Sequence, residues 1–305
     1  MSVEGIATAD APPSGPRRWV VGTDGSAGAR HAVDWAVAHA EGRATHIDVV
    51  AAWNTVAAAS FGSPVVAPID ERSIANAVRR DLESLVGEVC PAASVPVAGR
   101  AVHGAPTRAL LETAADAALL VVGSRGLGGF GRLLLGSTST QCATHATIPT
   151  AVIPVDGVVG RQTQRVVVGC DGSPNAMAAL RWAIDFASPG TAVEVVWVWD
   201  TTPLAVGADS FFFPEAADLS RDRFEHLVSK MTDHARRRQV VIEQSFVRGT
   251  PRRALSDAGA RADLLVVGAR GHGSVGAALL GSVSTWLLHH LGQPLVVVPD
   301  VDSGR

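Results

Sequence analysis

Short apolar runs alternate along the chain with longer stretches in which apolar residues recur at helical intervals. The run that begins at Trp19 ends in a turn, and one-sided apolar spacing follows at Ala29, Ala32, Val33, Ala36, Val37 and Ala40. This pattern predicts a strand and then a helix with one buried face, with Ser26 as the N-cap. The stretch VVVGCDGSP from Val166 repeats it, with Ser173 as N-cap and Pro174 in the first helical turn.

The same alternation continues through both halves. Second strands are predicted at 47–53 and 193–199, and third strands end at Val102 and Val247. Fourth strands are predicted at 118–122 and 264–267, and fifth strands in the closing segments TAVIPV and LVVVPD. Strands that alternate with helices and are largely continuous apolar runs indicate parallel sheets covered on both faces. We therefore predict an α/β protein with two doubly wound, Rossmann-like parallel sheets in tandem.

A repeat sets the domain organisation. VVGSRGLGGFGRLLLGS and VVGARGHGSVGAALLGS lie 145 positions apart, and both contain Gly-x2-Gly-x9-Gly-Ser. The 305 residues then divide into two domains of roughly 140 residues each. We expect a flexible N-terminal tail at 1–16, a first domain at 17–155, a linker at 156–164 and a second domain at 165–300.

Composition excludes several classes of protein. The chain is 47% hydrophobic and 18% charged, with a net charge of −3, which is typical of a globular protein and lacks the basic surface that nucleic acids require. Its apolar runs are shorter than the roughly 18 residues of a membrane span, and the N-terminus lacks a signal-peptide pattern. Three cysteines without metal spacing fit a reducing compartment. We predict a cytoplasmic protein without a membrane span or nucleic-acid partner.

The duplicated glycine-rich loop indicates phosphate binding, because backbone amides approach an anion closely only where side chains are absent. A P-loop is excluded, since the single lysine, Lys230, is not in a glycine-rich loop. Gly-x-Gly-x-x-Gly begins at Gly126 and at Gly271, but it follows the fourth strand and no acid lies about 20 residues beyond it. That context disfavours a dinucleotide site.

The duplicated motif, with Asp24 and Asp171 behind the first strand of each half, resembles the nucleotide-binding branch of the universal stress protein family. The resemblance covers both halves, about 135 residues each. It implies a sheet of order 3-2-1-4-5 in each half. It also implies ATP or another adenine nucleotide, with Mg²⁺, at the carboxyl ends of strands 1 and 4, which is where open α/β sheets generally bind ligands.

The resemblance assigns nucleotide contacts residue by residue. In the first half they are Gly22, Asp24, Gly123, Ser124, Arg125, Gly126, Gly128, Gly129, Arg132, Gly136, Ser137, Thr138 and Ser139. In the second half they are Gly169, Asp171, Gly268, Ala269, Arg270, Gly271, His272, Gly273, Gly281, Ser282, Val283 and Ser284.

The glycines would bring the backbone to the phosphates, so a side chain at Gly123 or Gly268 would fill the phosphate position. The amides and hydroxyls of the Gly-Ser-x-Ser segments would face anionic oxygens. The two aspartates would face the ribose or a metal, although a turn at the helix start accounts for them equally well. Valine replaces Thr138 and alanine replaces Arg132 in the second half, so that site would hold the terminal phosphates less tightly.

Other conspicuous residues have simpler explanations. His289 and His290 are adjacent and point apart on a helix, which disfavours a shared metal. The phenylalanines at 211–213 fit a lid, an interface or core packing. Trp53, Trp197 and Trp199 end second strands near the implied adenine, with core packing as the default, and Cys170 fits a buried structural thiol.

These features favour a regulatory module that holds one adenine nucleotide per domain and responds through its conformation or a regulatory protein partner. No catalytic residue is assigned, so a slow ATPase or phosphotransferase remains the alternative, with a nucleotide-free scaffold as a third class. Whether the chain is an enzyme stays open. In the sheet order that the resemblance implies, the apolar closing strands would lie at exposed edges. In the resembling family this strand pairs across a two-fold axis, so we expect the two closing strands to pair with each other within the chain, and whole chains to form a homodimer.

Overall fold

A computed structural model describes residues 17–54, 71–126, 135–155, 163–199, 214–271, 280–290 and 292–299. The predicted tail, most of the predicted linker and the phenylalanines at 211–213 lie outside these ranges. So do five predicted site residues: Gly128, Gly129, Arg132, His272 and Gly273.

The described part of the first half, which ends at Val155, alternates strands and helices. In chain order it contains β1 (Arg18–Thr23), α1 (Ala27–His39), β2 (His46–Trp53), α2 (Glu71–Val89), a short 3₁₀ turn (Cys90–Ala92), β3 (Val97–His103), α3 (Pro106–Ala114), β4 (Leu119–Gly123), α4 (Ser137–His145) and β5 (Thr150–Ile153).

The second half, described from Thr163, repeats this order. It contains β6 (Arg165–Gly169), α5 (Pro174–Phe186), β7 (Ala192–Trp199), α6 (Pro214–Arg237), β8 (Val241–Arg248), α7 (Pro251–Gly259), β9 (Leu264–Gly268), α8 (Ser282–His289) and β10 (Leu295–Val298). None of the helices in the described ranges is long and apolar enough to cross a lipid bilayer.

The ten strands form one sheet in the order β3-β2-β1-β4-β5-β10-β9-β6-β7-β8. Each half therefore has the predicted order 3-2-1-4-5, and its strands are parallel. The predicted pairing of the closing strands is also confirmed: β5 and β10 are antiparallel, with Ala151 opposite Val296. Both strands are buried throughout, because each covers the edge that the other would expose.

The predicted helix caps form in both halves. The hydroxyl of Ser26 accepts a hydrogen bond from the Ala29 amide at 3.1 Å, and that of Ser173 accepts one from the Ala176 amide at 3.2 Å. Each cap satisfies an amide at the helix start that has no partner within the helix. The caps fix where α1 and α5 begin, directly after the turns that follow β1 and β6.

A buried carboxylate on the second strand of each half contacts an arginine at the start of the first strand. Arg18 donates to Asp48 at 2.8 Å, and Arg165 donates to Glu194 at 2.7 Å. Glu194 also accepts a hydrogen bond from the Ser245 hydroxyl at 2.6 Å. These contacts satisfy charges that would otherwise be costly to bury.

Aromatic residues join the two halves on one face of the sheet. Helices α1 and α5 each carry an aromatic pair one turn apart, Trp35 with His39 and Trp182 with Phe186, at ring-centroid distances of 4.5 and 4.8 Å. Phe186 also lies parallel to Trp35, with centroids 6.0 Å apart. The guanidinium of Arg43 stands 4.6 Å above the Phe186 ring. The joint is therefore a packed aromatic cluster as well as a strand pair.

Phe186→Ala should lower the free energy of unfolding by about 3–5 kcal/mol, because it empties a buried site between the halves. Denaturant unfolding of the full chain measures the change. Phe186→Leu, which retains more apolar volume, should lose less. If Phe186→Ala unfolded at the same denaturant concentration as the parent chain, the aromatic cluster would not stabilise the joint.

The Glu194 contacts predict a pH dependence of stability. Burial acts to raise the pKa of Glu194, but the hydrogen bonds from Ser245 and Arg165 and the arginine charge outweigh it, so the pKa is lowered. The stabilisation should be complete above the ordinary glutamate pKa and decline as the pH falls through the lower folded-state pKa. Glu194→Gln should cost about 1.5–3 kcal/mol near neutral pH and flatten this decline.

Urea unfolding between about pH 3 and pH 7 tests this expectation. Glu243→Gln is a matched control, because Glu243 contacts the same Arg165 at 3.1 Å but is nearly half exposed. It should change stability little. An unaltered pH profile in Glu194→Gln would show that the pair does not carry the dependence.

Candidate functional site

A cleft of about 330 Å³ opens in the first half where β1 and β4 end. This is the position that the sequence predicted, at the point where the strand order reverses. The predicted site residues that line it are Gly22, Asp24, Gly123, Arg125, Gly126, Gly136, Ser137, Thr138 and Ser139. Eight further lining residues were not predicted as site residues: Thr23, Ala29, Val50, Ala52, Pro106, Leu110, Val122 and Leu135.

One wall of the cleft is apolar. Val50, Leu110 and Val122 belong to a buried cluster on this face of the sheet. A Cβ atom added at Gly22 would lie 2.8 Å from a methyl group of Leu110, so this glycine allows α3 to pack closely against β1. The sequence did show these residues as apolar positions, but nothing distinguishes a cleft wall from ordinary core in that pattern.

The opposite wall is the start of helix α4. Its N-cap is Gly136, which makes no side-chain capping hydrogen bond, in contrast to the serine caps of α1 and α5. The Gly136 amide donates to the Ser124 carbonyl at 2.8 Å, which fixes the helix start against the end of β4. An uncapped helix start presents amides and partial positive charge, the arrangement that binds anions.

The hydroxyl of Ser139 has a different role from the one predicted for it. It donates to the carbonyl oxygen of Gly123 at 2.5 Å, and Ser139 is buried. The hydroxyl proton is therefore used in the hydrogen bond that joins α4 to β4. The Ser139 oxygen could only accept a hydrogen bond from a ligand. Ser137, by contrast, is exposed at the cleft.

The close approaches at the glycines are to protein atoms. A Cβ at Gly123 would lie 2.4 Å from the carbonyl oxygen of Gly28, and one at Gly126 would lie 2.2 Å from Oδ2 of Asp24. The sequence predicted that a side chain at Gly123 would fill the phosphate position; the structure adds that such a side chain would also meet the start of α1. A substitution there would disturb the packing of α1 whether or not a ligand is bound.

The two aspartates do form turns. Oδ1 of Asp24 accepts a hydrogen bond from the Ser26 amide at 3.0 Å, and Oδ1 of Asp171 accepts one from Ser173 at 2.9 Å. Both aspartates are exposed, and Asp24 lines the cleft. Oδ2 of Asp24 lies beside Gly126, at the polar end of the cleft.

The second half repeats this framework. Ser284 donates to the Gly268 carbonyl at 2.8 Å, as Ser139 does in the first half. Helix α8 begins after Gly281, again without a side-chain capping hydrogen bond. Ser282 and Val283 occupy its first turn.

The residues after the fourth strands hold the loops in place. The amides of Ser124 and Ala269 each donate at 2.7 Å to the last residues of β5 and β10, Ile153 and Val298. Ser124 is buried, so its backbone and not its side chain faces this edge. Arg125 is exposed at the cleft, and Arg270 is half-buried at the corresponding position.

The remaining candidates are structural. Burial raises the pKa of the Cys170 thiol to about 11, so this thiol stays protonated beside Asp171. Trp197 is buried and donates from Nε1 to Ser220 at 3.1 Å, while Trp53 packs edge-on against His103. The His290 ring stacks on the Trp286 ring, and Nδ1 of His290 forms a hydrogen bond with the Trp286 carbonyl oxygen.

The cleft fits an anionic ligand with an apolar portion. It offers uncapped amides and Arg125 at one end and the apolar wall at the other, and its volume lies at the lower end of the range for small-molecule sites. Within the described ranges, no three His, Cys, Asp or Glu side chains are grouped to hold a metal. A magnesium ion would therefore depend on ligand oxygens in addition to Asp24, which is usual for Mg²⁺.

Comparison with known proteins agrees with the fold and the duplication. The model of the universal stress protein family matches residues 16–154 and 162–299. Universal stress protein Rv2005c of Mycobacterium tuberculosis is 32% identical over 291 residues, which cover 91% of this chain and 95% of that protein. Rv1996 of the same organism is 30% identical over 296 residues, with 91% and 93% covered.

A solved structure shares the architecture. The crystal structure of a universal stress protein from Archaeoglobus fulgidus matches with a TM-score of 0.66 at 21% identity, covering 93% of this chain and 98% of that one. At this identity the match supports the fold alone. The two family matches and the relatives from Mycobacterium tuberculosis show that the chain belongs to the universal stress protein family, with two such domains in tandem.

Proposed function

We propose that this protein binds one adenine nucleotide in each half and acts as a regulatory module in the stress response, through nucleotide-dependent conformation or partner binding. The observation that carries the proposal is the uncapped start of α4 facing an apolar wall across one cleft. The uncapped helix start suits phosphates, and the apolar wall suits a purine ring.

Different residues of the cleft would contact different parts of the nucleotide. The amides at the start of α4 and the Arg125 side chain would hold phosphate oxygens, with the Ser137 and Thr138 hydroxyls beside them. The apolar wall around Val50 and Leu110 would exclude water from the base. Asp24, fixed by its turn, would face the ribose or a magnesium ion bound to the phosphates. Bound nucleotide would link α1, β4 and α4, which is how occupancy would reach the protein surface.

Hydrolysis needs more than this cleft provides. Among the described residues that line it, only Asp24 and Arg125 are charged, and one oxygen of Asp24 is already held by the turn. Lys230 is exposed on α6, in the other half. Binding without groups that favour the transition state gives little rate acceleration, so storage or signalling fits better than turnover.

Ser137→Asp should abolish nucleotide binding in the first half while leaving the fold as stable as before. A carboxylate in the first turn of a helix favours the helix by about 0.3–1 kcal/mol but repels a phosphate at the same place. Ser282→Asp should do the same in the second half. Calorimetric titration of nucleotide-free protein with Mg-ATP measures binding, and thermal unfolding without ligand measures stability.

Ser137→Ala is the matched control, because it removes the hydroxyl but keeps the amides and should weaken binding only modestly. If Ser137→Asp bound two nucleotides as the parent chain does, the helix start would not be the phosphate site. If no variant and no parent protein bound any of AMP, ADP or ATP, the nucleotide proposal itself would fail.

Purified protein should hydrolyse ATP more slowly than about one turnover per minute, because the described lining residues include no lysine and no carboxylate other than Asp24. Phosphate release is the measurement, and the Ser137→Asp/Ser282→Asp double variant is the control. Activity that persists in the double variant comes from a contaminant. A rate of about 1 s⁻¹ or more that disappears in the double variant would make the chain an ATPase.

A further inference from the structure

The framework of the two clefts is nearly identical. A Cβ at Gly22 would meet Leu110 at 2.8 Å, and one at Gly169 would meet Leu255 at 2.9 Å. The corresponding contacts of Gly126 with Asp24 and of Gly271 with Asp171 are 2.2 and 2.3 Å. Because the backbones match this closely, a difference in side chains translates directly into a difference in the space and polarity of the cleft.

Three lining positions differ: Cys170, Val198 and Val283 stand where the first cleft has Thr23, Ala52 and Thr138, and the Ala52 position lies on the apolar wall. Gly22 is in register with Val50, and Gly169 is in register with Val196, so Ala52 corresponds to Val198 two residues further along. Ala52 lines the cleft of the first half. Valine at this position adds two methyl groups to the corresponding wall of the second half.

The difference at Thr138 lies at the helix start. Thr138 lines the first cleft in the first turn of α4, and Val283 takes its place in α8. Both Val198 and Val283 pack against the buried cluster that includes Leu255 and Val267. The second cleft is therefore more apolar on both walls, and it lacks a hydroxyl where the phosphate chain would lie.

We propose that the two clefts are functionally unequal: the first half is the tight nucleotide site, and Val198 and Val283 make the second a site of lower affinity for the same ligand. This inference rests on the proposed function. A lost hydrogen bond to a charged oxygen lowers affinity about tenfold or more, and the extra methyl groups of Val198 act in the same direction. At intermediate nucleotide concentrations only the first half would be occupied, so the chain would have a half-loaded state.

The single-site variants allow each cleft to be measured alone in the full-length chain. In Ser282→Asp, Mg-ATP should bind to the first half, and in Ser137→Asp it should bind to the second half at least about tenfold more weakly. Reciprocal exchange then tests the cause. Ala52→Val/Thr138→Val, made in Ser282→Asp, should lower the affinity towards the second-site value, and Val198→Ala/Val283→Thr, made in Ser137→Asp, should raise it towards the first.

The outcomes separate this inference from the proposed function. Binding to neither single-site variant nor to the parent chain would refute nucleotide binding altogether. Equal affinities in the two single-site variants would overturn the inference and leave nucleotide binding standing. Unequal affinities that the exchanges do not move would also overturn it, because other residues would then set the difference. Val198→Ala/Val283→Thr is expected to raise nucleotide affinity. Misfolding cannot produce higher affinity, so this variant separates the proposed cause from a loss of binding through misfolding.

Discussion

The pairing of β5 with β10 is the constraint on which the rest of the structure depends. Both strands are only four residues long and are buried throughout, so neither could remain as a free apolar edge in water. Their antiparallel register joins two parallel sheets into one sheet of ten strands. Because the directions of the two halves are opposed, their carboxyl ends lie at opposite ends of the sheet, and the two clefts are kept apart.

The aromatic cluster reinforces that joint with contacts that are not symmetric. Trp35 and His39 on α1 correspond in position to Trp182 and Phe186 on α5, yet only Phe186 is covered by an arginine from the other half. Burial lowers the pKa of Arg43, with the nearby charge of Arg238 acting in the same direction. The two helices are equivalent in position, but this contact between an arginine and an aromatic ring runs from the first half to the second.

Within each half, the helix that follows the first strand and the helix that follows the fourth strand begin differently. Serine hydroxyls satisfy the amides at the starts of α1 and α5, whereas α4 and α8 begin after glycines that provide no such partner. Leaving amides uncapped costs stability unless water or a ligand satisfies them. Both uncapped starts are held rigidly by a serine bonded to the preceding strand, which suits a site that must exist before its ligand arrives.

The sequence by itself determined the α/β class and the duplication, because apolar periodicity and a gapless repeat can be read along the chain. The strand order within each half was what the family resemblance of its motifs implied. The sequence also located the cleft through the glycine-rich loops and the Gly-Ser helix starts. Only the tertiary structure decided that Gly123 is small to admit Gly28, that the Ser139 proton is committed to the Gly123 carbonyl, and that Ala52 faces the cleft. These facts depend on which elements meet across the sheet, and a one-dimensional pattern does not encode contacts between residues that are distant along the chain.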